Sequence, residues 1–223
     1  TLYLQVDWGS PSTVFYAGAL PNPPSRFKVQ GLQVEAENFK TLAYGKALTA
    51  ADSLPIAGTL GTDILERRTV VLDFPRGRIS FLLQAPKLPY RDFSFKKRKI
   101  LLPFTLVGKT FPVLYDSGTS AYELITDEAT YSALRVKGAP ALNEKGNSWG
   151  KTLKVSTAPA RATVNVGSTA LPLNSVTHIS GTSKIQNLLM KFSGMKGMVG
   201  NQLFLGHTVV IDAARQKFYV GEK

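Results

Sequence analysis

The chain has 223 residues, with 43% hydrophobic and 19% charged content and a net charge of +12, the composition expected of an ordinary soluble globular protein. It has no cysteine, which excludes disulfides, thiol catalysis and cysteine-ligated metal, and its two histidines, His178 and His207, leave little for a histidine metal site or a Ser-His-Asp triad. No run approaches the roughly 18 apolar residues of a membrane helix, and the first residues carry neither a basic n-region nor an apolar h-region.

Strand signals dominate from the start. "LQVDWGSPSTVFY" places Asp7-Trp8-Gly9-Ser10 between two apolar stretches. "TVVLDF" and "RISFLL", separated by a Pro-Arg-Gly turn, read as a hairpin. The Pro-rich, basic segment "QAPKLPYRDFSFKKRK" has no clear period and reads as a connection between two halves, 1–84 and 100–223, with 85–99 between them. Its run "FKKRKI" concentrates positive charge. No nucleic-acid motif accompanies it, so a solvated linker is expected rather than a specific nucleic-acid site.

In the second half "VLYDSGTSAYELIT" repeats the pattern of an apolar strand, Asp116-Ser117-Gly118-Thr119, and a second apolar stretch. "DEATYSALR" (127–135) predicts a short helix with Thr126 or Asp127 as N-cap. "KTLKVS" and "ATVNV" alternate as half-buried strands do, and "SKIQNLLMKF" (183–192) is a second helix candidate. "TVVID" and "KFYVG" form a last hairpin. The class is mainly β with short helices.

The chain contains an internal repeat. "GTLGTDILERRTVVLDFPRGRISF" (58–81) aligns without a gap on "GMVGNQLFLGHTVVIDAARQKFYV" (197–220), at a constant offset of 139. Gly58 meets Gly197, Gly61 meets Gly200, the TVV triplets coincide, and Asp73 meets Asp212. The Asp7 and Asp116 motifs are offset by 109, so the second copy carries 30 more residues between its Asp and its Gly pair. Asp73 and Asp212 precede turns, where Asp is a structural favourite, and Asp63 is expected to cap the short segment after the first Gly pair.

The order Asp-x-Gly-Ser/Thr followed by apolar-apolar-Gly, present twice, resembles the aspartic peptidases of the pepsin and retropepsin superfamily. "DSGT" and "MVG" fit that family's pattern in the second half, and "DWGS" and "TLG" fit it in the first except at Trp8. The resemblance implies two pseudo-twofold-related β-barrel lobes with a cleft between them, in a compact single-chain form. It implies Asp7 and Asp116 as the catalytic pair, with Gly9, Ser10, Ser117, Gly118 and Thr119 supporting them. Ser10 and Thr119 would supply hydroxyl hydrogen bonds to the outer carboxylate oxygens. It implies no cofactor and no metal, a peptide or protein substrate, and a monomer, since one chain carries both aspartates. An exported or periplasmic location is slightly favoured. The chemistry agrees: two close carboxylates share one proton, so one can activate water while the other donates to the substrate carbonyl.

Trp8 stands where the family carries Thr or Ser, whose hydroxyl locks the two loops together. Tyr44-Gly45 is the candidate for a flap, otherwise a strand aromatic, and Trp8 either lines the cleft or joins the core, as does Trp149. Two functions follow. One is an aspartic endopeptidase, favoured by both aspartates, both glycines and both hydroxyl residues. The other is a catalytically inactive protein of the same fold that binds peptide or protein in the cleft, favoured by Trp8 and the short flap region.

Overall fold

A computed structural model describes residues 2–29, 32–35, 39–49, 53–148, 151–180 and 195–221. The helix candidate at 183–192 and Trp149 lie outside the described residues. The described chain is mainly β, and no helix is long and apolar enough to cross a membrane.

The first repeat opens with β1 (Tyr3–Val6) and β2 (Val14–Tyr16), followed by the hairpin β3 (Arg26–Val29) and β4 (Leu32–Glu35). In β4 Leu32 and Val34 are buried while Gln33 and Glu35 face solvent, the period-2 pattern of a half-buried strand. β5 (Lys40–Leu42) and β6 (Ile56–Leu60) complete a four-stranded sheet in the order β1-β6-β2-β5. A single helical turn, α1 (Thr62–Leu65), leads into β7 (Thr69–Asp73) and β8 (Arg78–Leu82).

The connection at 85–99 carries short strands of its own. β9 (Arg91–Asp92) pairs with the last strand of the chain, and β10 (Ser94–Lys96) pairs with β11 (Lys99–Leu106). The basic run is the turn between β10 and β11: Lys97 and Arg98 both take positive φ, the geometry that a two-residue hairpin loop demands. Arg98 there pairs with Glu66 at 3.1 Å.

The second repeat continues through β12 (Lys109–Tyr115), a 3-10 turn (Ser117–Thr119) and β13 (Leu124–Thr126). α2 (Glu128–Leu134) begins where its N-cap signal predicts: the Asp127 carboxylate accepts the Thr130 N–H at 2.8 Å. β14 (Leu142–Ser148), β15 (Lys151–Val166) and β16 (Thr169–Ser180) form long antiparallel pairs. The two runs at 151–156 and 162–166 are therefore one strand, with a shift of register between Pro159 and Ala162. β17 (Gly197–Val199), a 3-10 turn (Asn201–Phe204), β18 (Thr208–Asp212) and β19 (Lys217–Val220) end the chain.

The repeat is visible in the pairings. β1 runs parallel to β6 as β12 does to β17. β2 lies antiparallel to β6 and parallel to β5, as β13 lies antiparallel to β17 and parallel to β16. The halves meet in a shared sheet ordered β8-β7-β18-β19-β9. They are not equal. In the second, pairing of β11 with β15 closes β11-β12-β17-β13-β16-β15 into a ring, whereas the first is an open sheet with a separate hairpin among the described residues. One apolar cluster spans both: Trp8, Leu60, Ile64 and Val70 belong to the same core as Tyr115, Leu124, Val199 and Phe204. Asp73 and Asp212 hold their turns, each accepting the backbone N–H three residues on, from Arg76 and Arg215.

Candidate active site

Asp7 follows β1 and Asp116 follows β12, and equivalent backbone bonds hold them: Asp7 N–H to Leu60 O at 3.0 Å, Asp116 N–H to Val199 O at 2.9 Å. Each therefore sits where a parallel strand pair ends, beside the apolar-apolar-Gly segment of its own repeat. Oδ1 of Asp7 accepts the N–H groups of Gly9 (2.7 Å) and Ser10 (3.1 Å), and Oδ1 of Asp116 accepts that of Gly118 (2.9 Å).

The glycines bring the two carboxyls together. A Cβ on Gly9 would collide with the Asp116 carboxyl, and one on Gly118 would fall 2.6 Å from Oδ2 of Asp7. Each loop lies against the acid of the other repeat, at a separation that admits no side chain. Burial, and then the adjacent Asp7 carboxyl, push the Asp116 carboxyl up to about 7. Ionising a second carboxylate so close to the first is unfavourable, so Asp116 keeps its proton to a higher pH than an ordinary carboxyl.

Ser117 joins the loops. Its hydroxyl donates to Val6 O at 2.9 Å and accepts the Trp8 N–H at 2.9 Å, and Gln5 Nε2 adds a bond to Gly118 O at 3.3 Å. The reciprocal hydroxyl is missing. Trp8 instead buries its whole ring in the shared core, and its indole N–H has no hydrogen-bond partner among the described residues. Trp8 is thus a core residue and does not line an open cleft.

Several expectations are corrected. The Ser10 hydroxyl donates to Ser12 O (2.8 Å) and the Thr119 hydroxyl to Asp116 O (2.8 Å), so neither reaches a carboxylate oxygen. Both sit in tight turns where a nearby backbone carbonyl captures the hydroxyl first. Asp63 does not cap α1, whose N-cap is Gly61; its carboxylate reaches across to the N–H and hydroxyl of Thr13, both at 2.8 Å. Tyr44-Gly45 is not at a hairpin tip. It follows β5 in irregular chain, with Gly45 at φ +83° and the Tyr44 ring edge-on to Tyr16 at 5.0 Å.

Other buried or hydrogen-bonded polar residues of the two repeats escaped the sequence reading. Tyr16 bonds Thr59 at 2.7 Å, and its hydroxyl is raised above the ordinary tyrosine range by burial, with Tyr44 and Asp7 adding to the shift. Thr13 Oγ1 accepts the Gly61 N–H at 2.9 Å, and the buried Glu123 accepts the N–H groups of Asn174 and Ser175 at 2.6 and 2.9 Å. Asn201, directly after the repeated Gly pair, bonds Tyr115 and Ser120. Its place beside a duplicated motif was the available signal.

Among the described residues no three His, Asp or Glu side chains gather as a metal site. His178 and His207 are turned to the carbonyls of Thr126 and Gly221. The surface hollow lined by Glu144, Lys154, Val155 and Ser180 includes neither carboxyl of the pair. No family model matches the chain, and no curated protein is significantly similar to it.

Proposed function

We propose that the protein is an aspartic endopeptidase of the pepsin and retropepsin type, with its two repeats acting as the two lobes, the closed ring of the second as one barrel and the open sheet of the first as its reduced counterpart. The observation that carries this reading is the mutual packing of Gly9 on Asp116 and Gly118 on Asp7, which sets two carboxyls face to face from two copies of one motif. The raised Asp116 suits it as the proton donor and leaves Asp7 as the base.

Water adds to the scissile carbonyl carbon while Asp7 takes its proton and Asp116 gives its own to the carbonyl oxygen. The tetrahedral diol then collapses. Asp7 passes its proton to the departing amine nitrogen, and Asp116 recovers a proton from a diol hydroxyl as the new carboxyl forms. No cofactor or metal enters the sequence of steps. The partner is a peptide or protein. The basic run, tied into a hairpin turn, remains a general positive surface rather than a specific nucleic-acid site.

The test is cleavage of a mixed peptide library from pH 3 to pH 7 beside Asp116→Asn. Cleavage by the wild type that the variant abolishes supports the reading; folded wild-type protein that cleaves nothing overturns it. A second reading, a cleft that binds peptide without cutting it, is favoured by the one-sided lock at Trp8. Binding of a statine-containing peptide through its hydroxyl separates the two, since that hydroxyl needs a working carboxyl pair.

A further inference from the structure

Behind the Asp116 loop runs a chain of side-chain hydrogen bonds that the first repeat lacks. The Tyr115 hydroxyl, fully buried, donates to Asn201 Oδ1 at 2.7 Å. Asn201 Nδ2 donates to Ser120 Oγ at 3.0 Å and to Ser117 O at 3.4 Å, and the Ser120 hydroxyl donates to Ser117 O at 2.6 Å. The repeat-equivalent positions hold Val6, Thr62 and Pro11 in place of Tyr115, Asn201 and Ser120. What survives there is one bond, from Thr62 Oγ1 to Trp8 O at 3.3 Å.

We propose that Asn201 is a positioning residue for the carboxyl pair, clamping the Asp116 loop on both sides and, through Ser117, setting the Asp7 loop as well. One amide grips the residue before Asp116 and two residues after it. Ser117, held at its carbonyl by this network, carries the hydroxyl that fixes Val6 and Trp8. The second loop is thus the reference, and the first is aligned to it. The role requires an amide, because the Tyr115 hydroxyl needs an acceptor while Ser120 and Ser117 need a donor. A carboxylate at this position lacks the donor and adds negative charge beside two carboxyls already close together.

The catalytic consequence rests on the peptidase reading, but the clamp has a readout of its own. Asn201→Ala and Asn201→Asp are compared in the full chain with Val164→Ala, a cavity-forming change at a buried position of β15 with no part in the network. Two quantities are followed: kcat and KM from pH 3 to pH 8, and titration of the Asp116 carboxyl by carbon NMR. The ionisable neighbour that acts on Asp116 is Asp7, and the Tyr115 hydroxyl is itself raised by burial and by Asp116.

Asn201→Ala is expected to lower kcat about tenfold or more with KM little changed, the mark of lost alignment rather than lost binding. It is also expected to move the Asp116 midpoint, and Asn201→Asp to raise it. Val164→Ala should leave both where they are while lowering stability. A titration curve that Asn201→Ala does not move, or that Val164→Ala moves equally, overturns the proposal. If the wild type cleaves nothing, the peptidase reading falls while the titration still decides the clamp.

Discussion

Val71 of β7 pairs with Val210 of β18 across the shared sheet, and each is the repeat equivalent of the other. The ladder is symmetric about them: Val70 faces Ile211, Leu72 faces Val209, Thr69 faces Asp212 and Asp73 faces Thr208. The register is therefore locally symmetric about this pair, and the contact joining the repeats is a β ladder rather than a loose interface.

One cooperative unit follows from that ladder and from the common core. Ile211, fully buried against it, should cost about 2–5 kcal/mol when truncated to Ala. The two halves should still unfold together. Urea melts followed by tryptophan fluorescence and by far-UV circular dichroism are expected to share one midpoint, shifted equally in the variant. Separate midpoints would show that the repeats are independent.

Gly9→Ala tests the face-to-face placement of the acids. The new Cβ has nowhere to go except into the Asp116 carboxyl. Displacement of the pair on the order of an ångström should reduce peptide cleavage about a hundredfold or more. The assay is kcat/KM on a substrate chosen from the library; unchanged turnover would contradict the geometry.

Asp116→Asn carries a pH signature. A carboxyl raised from its ordinary value to about 7 holds its proton more tightly folded than unfolded, so its contribution is present at acid pH and is lost as pH rises from about 4 to about 7. The amide keeps the Gly118 N–H bond without ionising. The variant should gain stability at neutral pH, on the order of 2–4 kcal/mol, and nearly none at pH 3. Thermal melts at pH 3, 5 and 7.5 would reveal it as a flatter stability curve than that of the wild type.

Trp8 separates ring from indole nitrogen. Because that N–H is buried without a partner, Trp8→Phe gives up volume but also removes an unsatisfied donor, a group that costs about 1–3 kcal/mol when left unpaired. Its net effect should be within about 1.5 kcal/mol of zero, whereas Trp8→Ala should cost about 3–5 kcal/mol. Urea midpoints of the two variants measure the difference, and equal losses would mean that the nitrogen is engaged after all.

The repeat, the helix at 127–135 and the carboxyl pair were legible because each is written locally: a constant offset, a capping Asp, an Asp followed by Gly two places on. The strands at 91–92 and 94–96 were not, since such short elements are recruited by the open edges of β19 and β11 rather than by their own periodicity. The hydroxyls of Ser10 and Thr119 were given the wrong acceptors for a related reason. Residue type announces a donor but not which of several nearby carbonyls takes it. The burial of Trp8 depends on residues from both repeats and so has no signature in either one.

The structured connection has a consequence for how the molecule can be divided. β9 and β10 are both sewn onto strands of the second repeat, so the only chain between the halves that is free of ladders lies upstream, around Lys87 and Leu88. A cut there severs one covalent thread and leaves every strand pairing in place, including the whole β7–β18 seam. The gene could be split at that point into two separately translated pieces, each bringing one aspartate, and their reunion would be a heterodimer assembled by β-sheet complementation.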